Sequence, residues 1–313
     1  MIKVERILCP LDMTKESEEA LRYAVGLARG YGAKLMLCHC GGQTAAATQN
    51  GDGAEVARRV ETIFEDALAH HLGASDFSTL DWEGFILDAD DPGAAITREA
   101  AARGADLIVM RSRRRPLSAA LLGSTAETVC RTAPCSVLVT HAREREWVGF
   151  SAGDTDLGRV LVAHDFSDRS ELALQYGLSF ARKFGAELHL LHVLPEPVGE
   201  APELAWVAGT ARSLYHDATR RLEESVTGEE GRGVRVVRAV LTGKPYEEVL
   251  AYAAEHEIDL ICLGSDGVGH GLLALFGSNA DRVLRLAPCP TLIARPYKPS
   301  ASRADDSVHR PAA

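Results

Sequence analysis

The sequence predicts two doubly wound α/β domains in tandem, each a parallel sheet covered by helices on both faces. Three observations predict it. The chain repeats itself at an offset of 153 to 154 residues, and each repeat alternates short apolar runs with 3.6-period helices. A glycine-rich stretch then opens just past the fourth apolar run of the second repeat. Strand and helix in alternation signal a parallel sheet, because parallel neighbours need a long crossover between them, usually a helix.

The duplication is direct. DMTKESEEALRYAVGLARGYGAKLMLCH (Asp12 to His39) aligns without a gap on DFSDRSELALQYGLSFARKFGAELHLLH (Asp165 to His192), with 13 of 28 positions identical. GSTAETVCRTAPCSVLV from Gly123 lies over GSNADRVLRLAPCPTLI from Gly277, with 9 of 17 identical. In the second repeat, RVLVAH is a short apolar run suited to a buried parallel strand. The next helix sets Ala173, Tyr176, Gly177, Phe180, Ala181 and Phe184 on one face, and Gly185 stands where a C-cap glycine is expected. Strand ELHLLHV, a helix over 203–226, strand VRVVRAVL and a helix opened by Pro245 follow. Strand DLICLG, a helix after Gly277 and a last strand PTLIAR complete the repeat. The first repeat has the same plan, from RILCPL to SVLVT. Domains are expected at 1–140 and 159–296, joined by a charged, glycine-containing linker at 141–158. The tail at 297–313 has too little apolar content to pack and is expected to be disordered.

Composition narrows the class. The 313 residues are 46% hydrophobic and 25% charged, enough for two ordinary cores. A net charge of −10 argues against nucleic acid or an anionic membrane as partner. No apolar run approaches the roughly 18 residues that span a bilayer, and the N-terminus has no signal-peptide pattern. Seven cysteines without paired spacing do not form a disulfide framework, which points to a reducing, cytoplasmic setting.

In an open parallel sheet, ligands bind outside the carboxyl ends of the strands where the strand order reverses. LGSDGVGHGLLALFGSN (Leu263 to Asn279), with five glycines in seventeen residues, begins at such an end. Gly264 and Gly267 are expected to take positive φ and to let the backbone approach a ligand with no Cβ in the way. Gly277, Ser278 and Asn279 open a helix whose N–H groups and positive dipole end suit a phosphate. Asp165, ending the first strand, is placed to hold ribose hydroxyls.

The spacing Gly264-x2-Gly267-x9-Gly277-Ser278 resembles the nucleotide-binding pattern of the universal stress protein family. Asp12 and Asp165, ADLIVM and IDLICLG, and the APC before each last strand extend the likeness over both repeats. The resemblance implies two flavodoxin-like, Rossmann-like sheets of order 3-2-1-4-5 that pair through their last strands. The two copies then form an internal pseudo-dimer, and many members pair again as homodimers. It implies ATP, with or without Mg2+, as ligand. Adenine would lie beside Asp165, Val193 and Ala163, with Leu263 on the ribose and adenine side. Phosphates would meet Gly264, Gly267, Gly277, Ser278 and Asn279.

The first repeat departs from this pattern. In VMRSRRRPLSAALLGST, Arg111 replaces Gly264, Arg114 replaces Gly267, the span is one residue shorter, and Pro116 stiffens the loop. Arginine side chains are expected to fill the phosphate path, which leaves ATP to the second copy. The four arginines within 111–115 form either a solvated basic loop or a contact for polyanions.

Other candidates carry less. Cys38 and Cys40 of LCHC face one side of a strand and His39 the other, so the three do not converge on a metal without a bulge. His39 and His192 recur at matching positions, as a structural hydrogen bond at a strand end would require. His164 and its neighbour Asp165 point apart. His270 falls in the glycine loop, and Cys135 and Cys289 read as packing residues. The leading function is a cytoplasmic ATP-binding stress-response protein whose occupancy regulates association. The sequence supplies no placed general base, so at most slow hydrolysis is expected. Two alternatives stand beside it: a scaffold that binds no nucleotide, and an ATP-adenylating α/β enzyme, although the SGGxDS-like loop of those enzymes is absent. Because Arg111 and Arg114 stand in the phosphate path, calorimetry should return one ATP per chain, and two equivalent sites would contradict this asymmetry.

Overall fold

The computed structural model describes residues 2–12, 14–40, 53–72, 79–87, 89–112, 122–141, 144–148, 155–196, 204–228, 231–265 and 278–297. The first copy runs β1 (Arg6–Leu11), α1 (Lys15–Tyr31), β2 (Lys34–Cys40), α2 (Gly53–Leu72) and β3 (Trp82–Leu87). It continues through α3 (Pro92–Arg103), β4 (Leu107–Arg111), α4 (Ser124–Thr132) and β5 (Ser136–Thr140). The second runs β6 (Arg159–Ala163), α5 (Asp168–Phe184), β7 (Glu187–Leu194), α6 (Leu204–Ser225) and β8 (Val236–Thr242). Its last four elements are α7 (Pro245–Glu255), β9 (Leu260–Gly264), α8 (Ser278–Leu286) and β10 (Thr291–Ala294). The chain divides into two compact units, one built on each copy.

Each unit contains a parallel run of five strands. In the first, the order is β3-β2-β1-β4-β5. In the second it is β8-β7-β6-β9-β10, the same 3-2-1-4-5 arrangement that the resemblance implies. The order reverses beside the first strand of each sheet, between β1 and β4 and between β6 and β9, and a crevice opens at the carboxyl ends there.

Local chemistry fixes the helices that frame this crevice. Thr14 caps α1 by accepting from the Ser17 N–H, and Gly32 ends it at φ 69°. Ser167 and Ser170 form a reciprocal capping box at the start of α5, and Gly185 ends that helix at φ 74°. Glycine is needed at both ends because other L-residues seldom take the left-handed conformation. The buried face of α5 includes Ala173, Tyr176, Gly177, Phe180 and Ala181. At Gly177, a Cβ would stand 2.5 Å from Val162 Cγ2 and 3.0 Å from Leu188 Cδ1, so this helix lies directly on the sheet.

Part of the expected linker is packed. Trp147 is 2% exposed and groups with the second copy, its ring 6.1 Å from that of Phe184. Val148 and Thr155 group with the first copy, where they form an antiparallel bridge. A Cβ on Gly26 of α1 would come within 2.9 Å of Thr155 Cγ2. No helix among the described residues is long and apolar enough to cross a membrane.

The two units solve one packing problem with different chemistry. In the first, Lys34 on β2 and Arg103 on α3 both pair with Glu83, at 2.8 and 2.9 Å, and Arg103 also pairs with Glu99 at 2.5 Å. The corresponding positions of Lys34, Met36, Glu99 and Arg103 in the second are Glu187, His189, Tyr252 and His256. There His189 is buried, with Nδ1 2.9 Å from the Tyr252 hydroxyl and Nε2 2.9 Å from Glu187 Oε1. The His256 ring lies 4.0 Å from that of Tyr252. Burial holds the His189 imidazole below its ordinary pKa, with His256 and Arg159 adding to the effect and Glu187 opposing it. His192 is shifted down as well, again mainly by burial.

These lowered pKa values make the second unit acid-sensitive. A histidine held neutral in the folded state contributes its full stability above the unfolded pKa of about 6.5 and loses it as pH falls through the folded value. Denaturant midpoints should therefore drop between pH 7.5 and 5.5. His189→Met, which installs the first copy's residue, should reduce that drop whatever it does to stability at pH 7.5. An undiminished drop in the variant would exclude His189 as a source.

Candidate functional site

The crevice of the second unit is a cavity of about 490 Å³ at the carboxyl ends of β6, β7 and β9. Ala163, Asp165, Val193, Leu263, Gly264, Ser278 and Asn279 line it together. These are seven of the nine positions singled out in the sequence. The other two, Gly267 and Gly277, lie outside the described residues, as do Arg113, Arg114, Arg115 and His270.

Strand order determines which side each wall occupies. β7 flanks β6 on one side, bringing His192, Val193 and Pro195 to the cavity. β9 flanks it on the other and brings Leu263 and Gly264. Ser278 and Asn279 form the exposed first residues of α8, so their end of the cavity has helix N–H groups with no partner inside the helix, and the positive end of the dipole. Pro245 and Val249 of α7 close the apolar side.

Asp165 has a local task. Its Oδ1 accepts from the Ser167 N–H at 3.1 Å and from the Ser167 hydroxyl at 2.5 Å, which shapes the turn into α5. Asp12 does the same for Thr14 in the first copy, at 3.1 and 2.5 Å. Recurrence of this aspartate therefore has a structural cause independent of any ligand. An ionised carboxylate has about four acceptor directions, more than the two bonds of the turn require.

The turn is held from outside too. Phe166 has φ 63°, a left-handed conformation that costs a bulky residue about 1–3 kcal/mol. Its ring lies 4.5 Å from His192 and 5.1 Å from His164, with the Arg221 guanidinium 3.9 Å above it. His192 Nδ1 donates to the His164 carbonyl at 2.7 Å, and His39 Nδ1 is 2.8 Å from the Leu11 carbonyl in the first copy. Both histidines thus pin the end of the second strand to the end of the first. His164 is buried, with Nδ1 accepting from the Phe166 N–H at 3.2 Å and Nε2 3.5 Å from Glu171. The sequence reading missed His164, His192, Ser170, Pro245 and Val249 as wall residues. The recurrence of Pro92 as Pro245 and of Ser17 as Ser170 was the available signal.

One expectation is overturned. Gly264 does not take positive φ: it is the extended last residue of β9, paired with Ala294. Its missing Cβ is demanded by packing, since a Cβ there would stand 2.8 Å from the Arg169 carbonyl carbon and 2.9 Å from Arg169 Cβ. The first turn of α5 occupies the space that the sequence reading reserved for a ligand. At the same position of the first unit, Arg111 turns its guanidinium to Glu19 on α1. Cys9 and Cys38 are buried and Cys40 is half-buried. No cluster placed to hold a metal ion occurs among the described residues.

A doubly wound parallel sheet with a cavity at its switch point, built twice along one chain, defines an α/β protein of the Rossmann-like class. The universal stress protein family model matches residues 3–141 and again 157–295. The chain belongs to the universal stress protein family. A universal stress protein of Mycolicibacterium smegmatis is 27% identical over 301 residues, covering 93% of this chain and 97% of its own. Universal stress protein YxiE of Bacillus subtilis is 30% identical over 145 residues, 44% of this chain and 98% of that protein. The crystal structure of a universal stress protein from Archaeoglobus fulgidus covers 95% of this chain and 98% of its own at a TM-score of 0.62. At 20% identity it shows the shared fold.

Packing at Gly264 makes a direct prediction. Gly264→Ala should lower stability by about 1–3 kcal/mol, the usual range for an overpacked site, because the neighbour that must move is backbone. Thermal unfolding followed by circular dichroism measures it, and an unchanged midpoint would show that α5 yields freely.

Proposed function

We propose that the second unit holds an adenine nucleotide, ATP, and that its occupancy regulates association of this universal stress protein in the cytoplasm. The observation that carries the reading is the single cavity lined by Asp165 and Val193 on one side and by Leu263, Ser278 and Asn279 on the other. A volume of about 490 Å³ lies within the roughly 300–1,000 Å³ of small-molecule sites. In this arrangement the base lies against Ala163, Val193 and the apolar wall of Pro245 and Val249. Asp165 accepts from ribose hydroxyls, and the α8 N–H groups with the Ser278 hydroxyl take the phosphates. Gly267 and Gly277 complete the phosphate path on the strength of their spacing in the sequence. Any Mg2+ would arrive with the phosphates and find Asp165 as its carboxylate. Association would take the form of a homodimer.

The scaffold reading also has an observation behind it. Gly264 is explained by Arg169 without any ligand, so the glycines no longer argue for nucleotide as a group. Titration of ATP and adenosine against folded variants separates the two readings. Asp165→Ala should weaken both ligands, since it acts at the ribose. Ser278→Ala should cost ATP about 1 kcal/mol and leave adenosine unchanged, because the helix N–H groups remain. Gly267→Arg should cost ATP about 2–4 kcal/mol and adenosine far less. Unchanged ATP affinity in Gly267→Arg removes Gly267 from the phosphate path, and no ATP binding by the unaltered chain gives the lead to the scaffold.

A further inference from the structure

Strand β7 and helix α7 pack on each other, and their contact has two halves. Glu187, His189, Leu191 and Val193 alternate along β7 and therefore share one face of the sheet. Pro245, Val249, Tyr252 and His256 recur at helical spacing and form one stripe of α7 and its C-cap. Toward the carboxyl edge the contact is apolar, and Leu191, Val193, Pro245 and Val249 are walls of the ligand cavity. Toward the amino edge it is polar, with His189 against Tyr252 and His256. The cavity wall and the buried histidine are thus two ends of one packed interface.

The polar half has one consistent hydrogen-bond pattern when His189 is neutral. Its Nε2 stands 2.9 Å from Glu187 Oε1, and an ionised carboxylate can only accept, so that nitrogen carries the proton. Nδ1 is then the acceptor, and the Tyr252 hydroxyl donates to it at 2.9 Å. A proton added to Nδ1 reverses this bond. Tyr252 must then accept from the ring and turn its own hydrogen elsewhere. Tyr252 is buried, and His189 is the hydroxyl's only hydrogen-bond partner among the described residues. A buried donor without an acceptor is unfavourable, and so is a charge on a buried ring. The groups facing the ring are Glu187 on β7, Tyr252 and His256 on α7, and Arg159 on β6. Arg235, just before β8, holds the second oxygen of Glu187 at 2.7 Å, and Glu255 acts on Tyr252. Glu187 also lines a polar cavity of about 560 Å³ at the amino edge, beside Arg159 and Arg235, which gives a proton its way in.

We propose that His189 is a proton-operated latch on the ligand cavity of the second unit. Protonation turns the Tyr252 bond around, loosens α7 and draws Pro245 and Val249 away from the cavity they wall. Val249 lies three residues before Tyr252, about one turn along the same stripe. Burial keeps the ring neutral at pH 7.5 and sets the response below the ordinary value of about 6.5. The first unit has no such latch. Met36, Glu99 and Arg103 stand where His189, Tyr252 and His256 stand, and an arginine–glutamate pair stays ionised across this range. The choice of adenosine as probe rests on the nucleotide reading, whereas the movement of α7 does not.

Adenosine is titrated against the full chain between pH 7.5 and 5.5, because the phosphates of ATP titrate in that range themselves. Its affinity should fall about fivefold with acidification, and the fall should be absent in His189→Met. Hydrogen exchange in the ligand-free chain reads the same event. Protection of α7 should drop relative to α5 and to α3 of the first unit, and should hold in His189→Met. Tyr252→Phe serves if that variant fails to fold: it deletes the hydroxyl whose bond reverses, and should flatten both responses. A pH-independent affinity in the unaltered chain overturns the proposal. So does a fall undiminished in the folded variant, which would assign it to His192 at the cavity itself. If adenosine binds at no pH, the nucleotide reading fails and exchange alone decides the latch. A selective loss in α7 that depends on His189 then upholds it, and a uniform profile overturns it.

Discussion

The chain enters the first helix of each unit through a turn whose own side chains make its hydrogen bonds. In the second unit, Asp165 accepts twice from Ser167, Ser167 and Ser170 cap one another, and Phe166 is held at positive φ between two histidines and Arg221. The carboxyl edge of the sheet depends on this turn. It aims α5 so closely along the sheet that Gly177 and Gly264 have no room for a Cβ, and it puts the Asp165 carboxylate on the rim of the cavity. Left-handed strain at Phe166 is offset by the bonds and ring contacts around it. A residue can therefore be fixed by folding and still be placed for a ligand.

Duplication shows which parts of this arrangement are architecture and which are chemistry. The aspartate turn, the histidine pinned to a backbone carbonyl and the glycine C-caps occur in both copies, with nearly the same distances. The polar side chains on the second strand and the third helix diverged. One copy has permanent ion pairs around Glu83, and the other has a buried histidine between a tyrosine and a glutamate. The rim diverged likewise, at Arg111 and Gly264. Backbone hydrogen bonding tolerates no such change, whereas side chains packed on the sheet need only fill volume and satisfy one another.

The fold was legible because its signals are local and occur twice. Strand runs, the 3.6-period face of α5, Gly185 as cap and Pro245 at a helix start each depend on a few neighbouring residues, and the repeat doubled every one. The site was legible in part. Seven chosen residues line one cavity because the ends of parallel strands and the next helix start converge by topology alone. Gly264 was given the wrong reason, since its neighbour Arg169 is 95 positions away and only the packed helix reveals it. The burial of Trp147 was hidden in the same way, in a stretch with no periodicity of its own.

By itself, the sequence determined that this chain is a duplicated universal stress protein, with an intact glycine spacing in the second copy and arginines in the first. Periodicity, caps and spacing are properties of the chain and survive without coordinates. Tertiary structure decided what each side chain meets. It gave Asp165 to its turn, Gly264 to the backbone of α5, His189 to Tyr252 and Arg111 to Glu19. Those partners lie between 2 and 95 positions away along the chain. Only close packing of helix on sheet brings the distant ones together, and close packing also determines whether a glycine serves a ligand or its neighbour.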